Sequence, residues 1–223
     1  MKIMLTGSNG LLGQKLVHAL HGQNDVELVA TSRGDNRLKL NSGYTYYPLD
    51  ITDEQAVLDL CLAVKADVII HTAAMTQVDD CEDQQEACWL LNVRAVDYLI
   101  KACEATNTHL VHLSTDFIFD GAAGPYDESA APNPLSFYGK SKLAAEKLLL
   151  ESTISWSILR TVLVYGVVED MSRSNIVLWA KSALEKGQPL RIVSDQFRTP
   201  TLAEDLALGC ILAAKQRAQG IYN

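Results

Sequence analysis

The sequence has no excess of basic residues: 19 Lys and Arg stand against 27 Asp and Glu, a formal net charge of −8. With no basic patch, nothing points to nucleic acid or an anionic membrane surface as a partner. No apolar run approaches membrane-spanning length. The opening stretch "MKIMLTGSNG" breaks at Gly7, before a signal-peptide hydrophobic region could form. The five cysteines (61, 81, 88, 103 and 210) are odd in number and show no CxxC spacing. That pattern argues against a disulfide framework or a thiolate metal site, and for reduced thiols in a cytoplasmic protein. No repeat, low-complexity tract or linker divides the chain. At 223 residues, 48% apolar and 21% charged, it is expected to be one soluble domain with a sizeable core and at most a small annex.

What is present is alternation. "KIMLT" is a short apolar run ending at glycines, and residues 11–21 carry helical periodicity with Gly22 as the stop. "VELVAT" (26–31) reads as a strand. "TDEQ" (52–55) has the capping-box pattern before a helix to about Lys65. "DVIIHTAA" (67–74), "THLVHLST" (108–115) and "WSILRTVLVYG" (156–166) are buried-strand candidates, with helices expected near 84–105, 138–151 and 174–186. The fold class this predicts is α/β: a Rossmann-type doubly wound parallel sheet with helices on both faces. Such sheets bind ligands beyond the carboxyl ends of their strands.

Chemistry-bearing residues fall at those ends. "TGSNGLLG" sets Gly7, Gly10 and Gly13 three apart, between the first strand and its helix. That is where backbone must approach a pyrophosphate, so Gly7, Asn9, Gly10, Leu11 and Leu12 are candidate dinucleotide contacts. The second strand ends in Ser32 and Arg33, with no acid before Asp35. An acid there would take both ribose hydroxyls of NAD; a guanidinium suits a 2′-phosphate. The expected cofactor is therefore NADP(H), with NAD(H) also admitted. Further on, Tyr138, Lys142, Ala145 and Leu149 share one helical face. A lysine on an apolar face demands a partner, because burying an unpaired charge is expensive.

Taken together, "TGSNGLLG", "STDFIFDG" and "YGKSK" resemble the extended short-chain dehydrogenase/reductase superfamily, and within it the dTDP-4-dehydrorhamnose reductase group. "HTAAMTQVDDCE" (71–82), "LNVRAVDYL" (91–99), "PYDESAAPNPLSFYGKSKLAAEK" (125–147), "ILRTVLVYG" (158–166) and "DQFRTPT" (195–201) look like further blocks in family order. The resemblance implies that Tyr138 is the catalytic acid/base. It implies that Lys142 lowers the tyrosine pKa and bonds the nicotinamide ribose, and that Thr115 polarises the substrate carbonyl. It further implies that Asp116 contacts substrate, that Asp50 and Ile51 flank the adenine, and that Ala73, Ala74 and Thr76 run along the pyrophosphate and ribose. Asn92 matches a helix asparagine that supports the site. His71 and His112 are read as satisfied core residues.

The implied function is NADPH-dependent reduction of a nucleotide-linked 4-keto-6-deoxy sugar. The glutamate that dehydratases of the superfamily place after the aspartate is replaced by Phe117, which disfavours elimination. Two departures keep other functions open. Val162 and Leu163 stand where rhamnose-forming reductases have a sugar-stacking tryptophan, and the chain stops at Asn223, so the substrate lobe looks truncated. The alternatives are an NADP-binding regulatory subunit, since the β subunit of methionine adenosyltransferase resembles the same group, and a nucleotide-sugar epimerase. The expected division is residues 1–165 as the NAD(P)-binding domain and 166–223 as a partial substrate lobe interleaved with the last strands. Family dimers suggest a homodimer through the helices near 84–105 and 138–151.

Overall fold

A computed structural model describes residues 1–40, 42–169 and 175–223. Its elements follow the expected alternation. β1 (Lys2–Thr6) leads through the glycine turn into α1 (Leu11–Leu20), then β2 (Glu27–Ser32), β3 (Thr45–Pro48), α2 (Glu54–Val64) and β4 (Val68–His71). After α3 (Val78–Asp83), α4 (Gln85–Trp89) and a π-helical turn (Leu90–Arg94) come α5 (Ala95–Thr106), β5 (His109–Thr115) and α6 (Phe137–Glu151). β6 (Trp156–Thr161), β7 (Val164–Tyr165), α7 (Ile176–Glu185), β8 (Thr201–Leu202), α8 (Ala203–Gln216) and β9 (Gly220–Tyr222) complete it. Residue 174, the expected start of the helix over 174–186, lies outside the described residues.

Seven strands form one sheet in the order β3–β2–β1–β4–β5–β6–β9, every adjacent pair parallel. Alternation along the strands builds a core on each face. Met4, Ile69, Leu110 and Ile158 join Leu99 of α5, Leu149 of α6 and Val57 of α2. Ile3, Leu5, Val68, Ile70 and Val111 join Leu16 and Leu20 of α1 and Ala207 and Cys210 of α8. This is the doubly wound Rossmann arrangement, and its strand order reverses between β1 and β4, which is where such folds open a ligand crevice. All five cysteines are buried and unpaired. Among the described residues, no helix is long and apolar enough to cross a membrane.

Two local expectations are corrected. The cap of α2 is Asp53, which accepts from the Ala56 N–H; Thr52 instead gives its N–H and hydroxyl to Asp50. Four residues of "TDEQ" offer two side chains that can cap, and the backbone chose the second. The helix expected near 84–105 is present from Gln85 to Thr106, begins after the non-helical Gln84, and widens within its length into the π turn that presents Asn92. The strand expected over 156–166 splits after Thr161. Leu163 takes a left-handed φ of +39°, and β7 leaves to pair with β8 in a separate two-stranded sheet.

Candidate functional site

The carboxyl ends of β1, β4, β5 and β6 open onto a cleft of about 890 Å³. All sixteen site residues expected from the sequence line it: Gly7, Asn9, Gly10, Leu11, Leu12, Ser32, Arg33, Asp50, Ile51, Ala73, Ala74, Thr76, Thr115, Asp116, Tyr138 and Lys142. They divide between two ends.

At the glycine end, close approach leaves no room for side chains. Gly7 has a φ of +77°, and a Cβ there would sit 2.7 Å from the Ala73 nitrogen; one on Gly13 would lie 2.1 Å from the Gly7 carbonyl oxygen. α1 starts at Leu11 with Gly10 as its cap and, among the described residues, no side-chain bond capping its start. Its first N–H groups, at the positive end of the helix, suit a phosphate. The Asn9 side chain braces the loop after β2, donating to the Asp35 carbonyl at 2.8 Å and accepting from the Arg37 N–H at 3.0 Å. Arg33 lines the cleft next to Ser32, whereas Asp35 is not among the lining residues. Asp50 is held below the usual carboxylate range, first by its bonds from Thr52 and also by the charge of Arg33.

At the other end, α6 carries Tyr138 and Lys142 inward. Its start is fixed by Ser136, whose hydroxyl accepts from the Gly139 N–H at 3.1 Å. Gly139 lets the helix press on the strand end, since a Cβ would come 2.2 Å from the Phe117 carbonyl oxygen. Thr115 donates to Asp116 at 3.0 Å and lies beside the Tyr138 hydroxyl. Burial pushes the Tyr138 phenol up to about 12, opposed by its hydrogen bond with Thr115. Lys142 is 3% exposed. Its ammonium donates to the Leu113 carbonyl at 2.6 Å and meets His112 Nε2 at 3.3 Å. Burial brings its pKa down to about 8, against the raising influence of Glu146.

Lys142 thus has the partners its burial requires, but they are on β5. For the Tyr138 phenol, burial is the largest influence, and the phenol is raised. Glu146, one turn on, is committed to Arg160 by two bonds of 3.1 and 2.8 Å. Asn92 does support the site. It accepts from the Met75 N–H at 2.8 Å and donates to the Met75 carbonyl and the Ser141 hydroxyl, both at 3.0 Å, tying the loop after β4 to α6.

Arg198 was not singled out from the sequence. It reaches over the Phe117 ring at 4.6 Å and faces Asp116 at 3.9 Å. Its only sequence signal was membership of the "DQFRTPT" block. Burial raises the Asp116 pKa, with Thr115 and Arg198 working against the shift.

The fold and the cleft define a Rossmann-type α/β protein in which a Tyr-Lys pair and the glycine turn before α1 line one cleft. A family model described as the RmlD substrate binding domain matches residues 1–223, and the chain belongs to that family. It is 33% identical over 227 residues to the methionine adenosyltransferase 2 subunit beta of Xenopus tropicalis, covering 100% of this chain and 66% of the relative. It therefore spans just under two thirds of that relative's length. A solved dTDP-4-dehydrorhamnose reductase of Clostridium acetobutylicum superposes with a TM-score of 0.87 at 33% identity, covering 100% of this chain and 73% of that one. The dTDP-4-dehydrorhamnose reductase of Bacillus anthracis, solved in complex with NADP, gives 0.82 at 28% identity, covering 99% and 73%.

Proposed function

We propose that the protein is an NADP(H)-dependent reductase of a nucleotide-sugar ketone. The observation that carries this reading is the convergence of Thr115, Tyr138 and Lys142 at one end of a cleft whose other end is the glycine cradle with Arg33. The residues fit a dinucleotide. The cradle leaves no room for a Cβ at Gly7, and the buried hydroxyls of Ser114 and Thr161 on the cleft wall have no protein partner among the described residues. Gly7, Gly10, Leu11 and Leu12 would hold its phosphates, Asp50 and Ile51 its adenine end, and Ala73, Ala74, Thr76 and Lys142 its ribose side.

When bound, that cofactor supplies the hydride for the ketone carbon. The chain's own residues handle the oxygen. Thr115 turns its one hydroxyl proton from Asp116 to that oxygen and orients it, and Tyr138 gives its phenolic proton to the alkoxide that forms. A phenol pushed up to about 12 is protonated throughout the neutral range, as a donor must be. The Lys142 ammonium, charged below about pH 8, favours the phenolate that remains. Incubation of the protein with NADPH and a panel of 4-keto nucleotide sugars tests this: consumption of NADPH with matching formation of the alcohol supports it. Loss of neither reactant sinks it.

A regulatory role is the second reading. Its support is the methionine adenosyltransferase β subunit among the relatives, together with a lysine bonded to β5 and a phenol that burial raises. Under that reading NADPH binds but is not oxidised.

Arg33 is proposed to read the 2′-phosphate. Arg33→Ala should weaken NADPH binding by about 1.5–3 kcal/mol, the usual size for a charged hydrogen bond, and barely change NADH. Calorimetric titration of both cofactors into both proteins checks it; an equal loss for the two would count against the assignment.

We further propose that residues 1–165 form the cofactor-binding part, and that the chain self-associates through the region around α4 and α6. Trp89 and Leu90 are 37% and 40% exposed there, close to the aromatic contact of Trp89 with Phe137. Sedimentation at micromolar concentration should give twice the chain mass, and a monomer would refute the dimer.

A further inference from the structure

Four neighbouring strands carry a polar row through the sheet. Register sets Thr31 beside Thr6, Thr6 beside His71, and His71 beside His112. All four are buried. Thr31 donates to the Leu5 carbonyl at 3.1 Å, the Thr6 hydroxyl meets His71 Nδ1 at 2.7 Å, and the two imidazoles stack with centroids 5.5 Å apart. The row ends on α6, where His112 Nε2 lies 3.3 Å from Lys142 Nζ. The reaction proposed above uses neither histidine.

An ammonium has only N–H donors, so the ring nitrogen facing it must offer a lone pair. His112 is therefore a neutral imidazole carrying its proton on Nδ1. That Nδ1–H is buried and has no partner among the described residues. Turning the other tautomer towards Lys142 would set N–H against N–H, so the unmade bond is the smaller penalty.

We infer that His112 is a positioning residue: it accepts a hydrogen bond from the Lys142 ammonium and, with the Leu113 carbonyl, pins that lysine against β5 at the cleft. The inference concerns the free protein, and only its consequence for cofactor binding rests on the function proposed above. Among the described residues, the other titratable groups that act on Lys142 or feel its charge are Glu146 on α6 itself, Cys88 from α4 and His71 behind His112, while Tyr138, one turn earlier on α6, and Asp116 line the same cleft. Glu146 is already paired with Arg160. Protonating His112 would place two cations in contact, and its pKa lies well below the ordinary imidazole value through burial and then the charge of Lys142. A neutral acceptor favours the charged lysine. Anything that needs the ammonium is lost as pH rises through the lysine's midpoint, so removing His112 brings that loss to lower pH.

The test is NMR titration of lysine labelled at Cε, in wild type, His112→Leu and His112→Gln. The Lys142 midpoint should fall near 8 in wild type. It should move down by about one unit or more in His112→Leu, as loss of a bond to a charged group implies. His112→Gln, which keeps an acceptor, should recover most of the shift. Nitrogen NMR of wild type, independent of any variant's folding, should show His112 as the neutral Nδ1–H tautomer even at about pH 6, where a free imidazole is largely charged. An unchanged lysine midpoint in His112→Leu, or an Nε2–H tautomer or imidazolium in wild type, overturns the inference. NADPH titration by calorimetry against pH separates the two readings. If the lysine midpoint moves while NADPH affinity does not follow it, His112 keeps its assignment and Lys142 loses its cofactor role.

Discussion

Tyr138→Phe is expected to lower turnover by about a hundredfold to ten-thousandfold, the range for removing a positioned proton donor, with NADPH affinity nearly unchanged. The ring is buried against Phe117 in an edge-to-face contact of 5.6 Å, with Cys81 and Cys88 completing its pocket. Removing one oxygen leaves that packing and the helix start at Ser136 intact. What goes is the bond shared with Thr115 and, in the proposed function, the proton for the alkoxide. Lys142→Ala should harm binding and turnover together, because in the proposed function one side chain serves both ribose and phenolate. Steady-state kinetics paired with calorimetric NADPH titration separates the two patterns. Full turnover by the phenylalanine variant would remove Tyr138 from the chemistry.

Glu146→Leu should cost about 3–5 kcal/mol of folding stability, as breaking a buried pair by removing one partner does. Both side chains are almost fully sealed, at 5% and 1% exposure, and the contact is a two-bond fork. Without the carboxylate, Arg160 keeps its stack on Phe119 at 5.4 Å and a 3.4 Å bond to the Glu128 carbonyl, neither of which neutralises its charge. The double variant Glu146→Leu, Arg160→Met should recover much of the loss, since two apolar side chains of similar volume leave no orphaned ion. Urea unfolding of all three proteins measures it. A single variant within about 1 kcal/mol of wild type would match a surface pair, not a buried one.

The layers of the fold were legible because their signals are local. Short continuous apolar runs for the strands, period-3.6 helices and glycines after β1 are read within a dozen residues. The cleft lining was legible too, through motif blocks whose positions fall at strand ends. Apart from the choice between Thr52 and Asp53 as the α2 cap, what was missed depended on contacts distant in sequence. Leu163 breaks the 156–166 run because β7 is drawn to β8, 37 residues on by register, and no local pattern records that partner. The π turn that aims Asn92 at Met75 is fixed by the loop after β4. The partner of Lys142 could be demanded from burial energetics but not named, since His112 meets it only once β5 and α6 are packed together. Arg198 reaches Phe117 and Asp116 from the far end of the chain, out of reach of any windowed reading.

The central claim is that this cleft transfers hydride to a ketone with Tyr138 supplying the proton. The direct measurement is isotope transfer: NADPH carrying deuterium at the reactive position of the nicotinamide, a 4-keto-6-deoxy nucleotide sugar, and mass spectrometry of the sugar product. The account predicts an alcohol bearing one deuterium on the former carbonyl carbon, formed by wild type and not by Tyr138→Phe. Tight NADPH binding with the label retained in the cofactor, across the whole panel of 4-keto nucleotide sugars, would contradict it and favour a regulatory subunit.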